Sequence, residues 1–134
     1  MKNGKVTIPK SCAVGTYKIT VKTAGNVAYA AGSKVVTIKI TQAVNPLTIK
    51  VSSKSYYSSK LKKAAAFTIG ATKGQGKVTY TPNTAAKKAK IKVAAAGKVT
   101  VPKKCRKGTY KITVKAAGNK NYKAGTKTVT IKVK

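Results

Sequence analysis

The chain has 134 residues, 30 of them Lys or Arg, with no Asp, Glu or His, so its formal net charge is +30. Without a carboxylate or imidazole side chain it lacks the usual general base, the ligands of hard cations and every Ser–His–Asp or Cys–His arrangement, and its two cysteines are too few for a four-ligand zinc site. The expectation is a protein that is not an enzyme and uses no metal or cofactor, yet one that folds, because 42% apolar residues is too many for a disordered basic tail.

The chain opens on "MKNGKVTIPK", which has no apolar signal-peptide core. No apolar run is long enough to span a membrane as a helix. A cytoplasmic protein or a piece of a longer one would both look like this, and the repeat decides for the second. Residues 4–40, "GKVTIPKSCAVGTYKITVKTAGNVAYAAGSKVVTIKI", lie without gaps over residues 97–133, "GKVTVPKKCRKGTYKITVKAAGNKNYKAGTKTVTIKV", and match at 26 of 37 positions. An offset of 93 residues exceeds any helical or leucine-rich repeat and equals one whole β-sandwich domain. Residues 1–46 are therefore read as the C-terminal half of one repeat and residues 47–134 as a complete one. "TQAVNP" is read as the linker between them.

The complete copy alternates apolar and polar residues, the mark of half-buried strands. Its inward sets are Leu47, Ile49 and Val51; Phe67 and Ile69; Val78 and Tyr80; Ile91 and Val93; Val99 and Val101; Tyr110, Ile112 and Val114; Val129, Ile131 and Val133. "SSKSYYSSKLKK" (52–63) breaks the alternation and reads as a loop or edge segment, where Tyr56 and Tyr57 look like neighbouring aromatics with one packed against the sandwich edge. "KGQG", "TPN" and "AAGN" read as turns, and "TAAKKAK" (84–90) as one short helical turn. About seven strands are expected. One buried face and turns every ~8–12 residues predict an all-β, antiparallel immunoglobulin-like sandwich, present here as one and a half tandem repeats. Tyr110 opens the penultimate strand. It is either a tyrosine corner, its hydroxyl bonded back to the chain, or simply a large core residue.

The stretches "NPLTIKV", "QGKVTYTPN" and above all "GTYKITVKAAGNKNYKAGTKTVTIKV" resemble the lysine-rich Ig-like repeats strung in tandem in large surface or secreted proteins of Gram-positive gut bacteria. The likeness covers the whole chain and implies a non-catalytic, extracellular stalk or adhesion module, with localisation at the cell surface or outside it. Acidic residues are wholly missing here, whereas such repeats keep a few. The Lys–Asn isopeptide crosslink of some surface Ig-like domains would therefore have no catalytic carboxylate.

The remaining chemistry is the lysines' own. Lys90 and Lys92, Lys111 and Lys115, and Lys132 and Lys134 fall on the outward side of strands. With i,i+2 neighbours about 6.6 Å apart and rows ~4.8 Å apart, they suggest a flat cationic lattice. Lysine is a hydrated point charge without arginine's fork, so such a lattice binds anionic glycans, teichoic acid, nucleic acid or anionic lipid with little selectivity. Cys12 and Cys105 hold equivalent repeat positions and read as free thiols. The basic neighbours Lys103, Lys104, Arg106 and Lys107 favour the thiolate at Cys105, so Cys105 is expected to react faster than Cys12. Finally, segments 4–40 and 97–133 compete for one set of early strands, which raises strand swapping of 4–40 and a homo-oligomer, against the plainer outcome that 1–46 forms its own small sheet. The function read here is a structural or adhesive Ig-like module that binds anionic surfaces by charge. The alternative is a naturally or artificially supercharged protein that binds nucleic acid or membranes and enters cells.

Overall fold

The computed structural model describes residues 4–134. They divide into two compact units, the first ending at Ala43 and the second running Val44–Lys134.

In the first unit, β1 (Gly15–Thr23) and β2 (Gly32–Ile40) form an antiparallel hairpin that is a sheet by itself. Among the described residues of the chain it pairs with no other strand. Its turn is built locally. Asn26 Oδ1 accepts from the amides of Ala28 and Tyr29, both at 2.9 Å. Gly25 has φ +75°, and a Cβ there would lie 2.6 Å from the backbone of Tyr29 and Ala31, so only glycine fits.

The second unit carries β3 (Thr48–Ile49), β4 (Ser53–Tyr56), a 3-10 turn at Ser58–Lys60, β5 (Ala65–Thr68), β6 (Ala71–Thr72), β7 (Val78–Pro82), α1 (Thr84–Lys88), β8 (Lys92–Val93), β9 (Lys98–Val101), β10 (Gly108–Ala116) and β11 (Gly125–Val133). One sheet has the order β4-β11-β10-β7, a second β5-β9-β8, and β3 pairs with β6. Their inner faces meet in one core, where Ile69, Val99, Val101, Ile112, Val129 and Ile131 are fully buried. The β10 burial pattern alternates strictly from Tyr110 to Ala116, as the sequence alternation dictates. This is an all-β immunoglobulin-like sandwich.

Three details differ from expectation. There are nine strands rather than about seven: β4 lies in the stretch read as a loop or edge segment, and β6 is two residues long, too short to show a period. One pairing is parallel: β4 runs beside β11, with Ser53 opposite Thr130 and Tyr56 opposite Val133. Residues 52–63 lacked alternation because β4 is an edge strand, where only Tyr56 is even half-buried. Third, the boundary falls between Ala43 and Val44, not after residue 46. Asn45, 8% exposed, is part of the second unit. Its Nδ2 donates to Gln75 O and Lys123 O, and its Oδ1 accepts from Gln75 N–H, all at 3.0 Å. Those three bonds clamp the start of the unit to its β6–β7 and β10–β11 loops.

Candidate anion-binding surface

Tyr110 is both things the sequence left open. It is 5% exposed within the core, and its hydroxyl donates to Arg106 O at 2.6 Å. That bond fixes the turn into β10 and with it the course of Arg106, Lys107 and Gly108. The copy in the first unit repeats it, Tyr17 donating to Ala13 O at 2.8 Å.

Against this turn packs α1. Asn83 caps it, its Oδ1 accepting from Ala86 N–H at 2.9 Å, and the same residue's amide donates to Lys111 O at 2.9 Å, pinning the helix to β10. The helix ends on a Schellman arrangement, with Ile91 N–H on Ala86 O and Lys90 N–H on Lys87 O, both at 2.9 Å. Lys90 takes the left-handed position, φ +58°, that glycine favours there. Lys90 is thus placed by the helix stop.

Between α1 and the β10 turn lies a cleft of about 500 Å³, lined by Ala85, Lys88, Ala89, Arg106, Lys107, Gly108, Thr109 and Tyr110. It gathers three cations and two hydroxyl-bearing residues around small alanine walls. Arg106 is the chain's one arginine. Its planar fork suits two-point contact with a sulfate or phosphate, which lysine cannot match. Sequence reasoning gave Arg106 no place in a binding site, and named neither Lys88 nor Lys107 as one. A signal existed in the repeat comparison: where the second copy has Arg106 and Lys107, the first has Ala13 and Val14.

The six lysines expected to form one lattice do not share a face. Lys111, Lys115 and Lys132 lie on the outer face of the four-stranded sheet, and Lys134 follows β11 directly. Lys92 belongs to the three-stranded sheet, and Lys90 to the helix stop. On the four-stranded sheet the lysines are interleaved with hydroxyls: Lys111 faces Thr130, Lys115 faces Thr126 and Thr79, and Lys132 faces Thr109 and Ser55. The face is a threonine sheet with spaced cations.

Of the two tyrosines singled out, Tyr56 packs against the core and Tyr57 is 55% exposed, with Lys60 Nζ 5.6 Å from its ring centroid.

The basis for expecting Cys105 to react faster is overturned. Cys105 is buried, 3% exposed, whereas Cys12 is half-buried. Burial pushes the Cys105 thiol up, and the neighbouring Tyr110 hydroxyl only partly opposes this. The basic neighbours are all exposed, so their charges are screened by solvent and do little for a sulfur inside the core. Burial likewise raises Tyr110, helped by Cys105 and opposed by Arg106.

No protein-family model matches the chain, and no curated protein does. Among solved structures, the crystal structure of Drosophila N-cadherin EC1-4 matches with a TM-score of 0.45 and 17% identity, over 89% of this chain and 31% of that one. This chain therefore spans about a third of the other's length. At that score and identity the likeness says nothing of ligand or partner. Among the described residues no helix is long and apolar enough to cross a membrane.

Proposed function

We propose that residues 44–134 are a non-catalytic structural and adhesive module of a surface or secreted protein, placed in series with like repeats. It holds anionic polymers by charge: anionic glycans, teichoic acid, nucleic acid or anionic lipid. The observation that carries this reading is the convergence of Lys88, Arg106 and Lys107 on one cleft in a chain with no side-chain carboxylate to neutralise them. The spaced lysines attract a polyanion from any side and set no register. The cleft adds orientation, because a terminal or branching sulfate or phosphate enters it while the rest of the polymer stays in solvent.

The test removes equal charge from two places. The variant K88A/R106A/K107A empties the cleft, and K111A/K115A/K132A thins the sheet face. Binding of a short sulfated oligosaccharide and of a long polyanion is measured by calorimetry at two salt concentrations. The cleft variant should lose about tenfold more affinity than the sheet variant for the short ligand, and the two should weaken alike for the long one. Equal losses for both ligands would refute a role for the cleft. Leakage from anionic vesicles at physiological salt would favour a membrane-active protein instead.

A further inference from the structure

We propose that the β1–β2 hairpin is the receptor half of a second sandwich, and that the segment it takes up is another copy of residues 44–96 joined directly ahead of Gly4. The hairpin is already in the required form. Gly15 faces Ile40 and Tyr17 faces Ile38, as Gly108 faces Val133 and Tyr110 faces Ile131. The tyrosine bonds back four residues in both copies, and the Asn26 turn is the Asn119 turn, whose Oδ1 accepts from Asn121 N–H at 2.9 Å and Tyr122 N–H at 3.0 Å.

What differs is cover. Tyr17 is 40% exposed where Tyr110 is 5%, Val21 is 47% where Val114 is 0%, and Val36 is 48% where Val129 is 0%. The difference extends to the strand that precedes the hairpin. Lys98–Val101 is a strand because β5 and β8 flank it. Its twin, residues 5–8, has no flanking strands and stays irregular apart from one bridge residue, with Val6 42% and Ile8 50% exposed. Between that segment and the hairpin an apolar cleft of about 290 Å³ stands open, lined in part by Val6, Ile8, Cys12, Tyr17, Ile19 and Ile38.

The identity of the occupant follows from the chain itself. In the complete unit the same hairpin residues are covered by residues 44–96, and Ala96 runs straight into Gly97, the twin of Gly4. Exchange between copies of this chain cannot supply the cover. Each copy brings two receptor hairpins and one 44–96 segment, so swapping leaves as many faces bare as before.

The experiment compares the full chain with an extended one, in which a copy of residues 44–96 is fused ahead of Gly4. Cys12 is the reporter. In the completed unit it should be buried as Cys105 is, and a neutral alkylating reagent avoids attraction by the charge. In the parent chain Cys12 should label faster than Cys105. In the extended chain its labelling should slow at least tenfold, with matching protection of the Val21 and Val36 amides from hydrogen exchange. Ile38→Lys in the extended chain should restore labelling of Cys12 while leaving Cys105 protected. Unchanged Cys12 labelling on extension, or slowed labelling that survives Ile38→Lys, would overturn the proposal. So would a parent chain that protects Cys12 as its concentration rises, since the cover would then be a second copy.

Discussion

Replacing Asn45 by alanine removes three hydrogen bonds and almost nothing else. The amide bridges Gln75 and Lys123, residues 30 and 78 positions away in sequence. Alanine keeps the Cβ, which Gly125 approaches so closely that a Cβ there would lie 2.7 Å from it, so packing against that glycine is retained. Pro46 holds residue 45 in extended backbone whatever its side chain. Each neutral bond contributes about 1 kcal/mol net, and the Gln75 amide is left without its partner at a half-buried site. The expected loss is therefore about 2–4 kcal/mol, a large part of the stability of a small domain. Urea unfolding at fixed ionic strength, followed by far-UV circular dichroism, measures it, because guanidinium is itself a salt and would screen the charge. A shortened chain, residues 47–134, should lose as much as Asn45→Ala, whereas residues 44–134 should lose little. A loss below about 1 kcal/mol for Asn45→Ala, or equal stability of the two shortened chains, would refute the clamp and return the boundary to residue 46.

Tyr110→Phe should cost about 1–3 kcal/mol, since it strands a carbonyl at the turn, whereas Tyr17→Phe, at an exposed hydroxyl, should stay within about 0.5 kcal/mol. The Tyr110 hydroxyl is held above its ordinary pKa, chiefly by burial, so its contribution is complete below about pH 10 and is lost as pH rises further. The gap between parent and Tyr110→Phe should narrow in that range, and a gap that widens with alkalinity would contradict the assignment. With +30 charge and no side-chain acids, thermal stability should rise from low salt to ~0.5 M, more with sulfate than with chloride, and a flat or falling midpoint would count against an unpaired cationic coat.

Where the chain organises itself locally, the sequence was legible. The alternation in β10 and β11 and the helical turn within residues 84–90 depend on residues close to each other in sequence, as does the tyrosine bond, one of the two readings the sequence left open. The two copies test this directly. "GTYKITVK" forms the same strand whether its inner face is covered or bare, while "GKVTIP" and "GKVTVP", equally similar, part company because only one has strands on both sides. Features that depend on distant pairing were not legible. Asn45 looked like linker because its partners lie far along the chain, and residues 52–63, read as a loop or edge segment, gave no sign that the edge strand β4 pairs in parallel with β11. The Cys105 reading erred for a related reason. Four basic neighbours in sequence are not neighbours of the sulfur when the side chain turns into the core. The cleft escaped notice because it is made by a helix and a turn some twenty residues apart, and only the unmatched Arg106 and Lys107 pointed to it.

A chain with no acidic side chain must still bring many ammonium groups onto small sheets. The registers show how. Every lysine placed in a strand pair lies opposite a hydroxyl or an aliphatic residue, never another lysine: Lys18 faces Thr37, Lys22 faces Ser33, Lys98 faces Thr68, Lys92 faces Thr100 and Lys111 faces Thr130. Directly opposed residues have Cβ atoms about 5 Å apart, and like charges there are destabilising. Even in bulk water two unit charges at 4 Å repel by about 1 kcal/mol, and more beside a low-dielectric sheet. The Lys-Ile-Thr and Thr-Val-Thr-Ile-Lys patterns of the paired strands therefore do two things at once. Their apolar positions fill the core, and the alternate positions place threonine where a lysine would meet a lysine. Threonine suits this role because its branched side chain favours extended backbone while its hydroxyl keeps the face wet. The lysines are left evenly spaced, and no carboxylate competes with an incoming sulfate or phosphate for them. The same spacing that lets the sandwich fold at this charge keeps its cations unpaired, as the proposed binding of a polyanion requires.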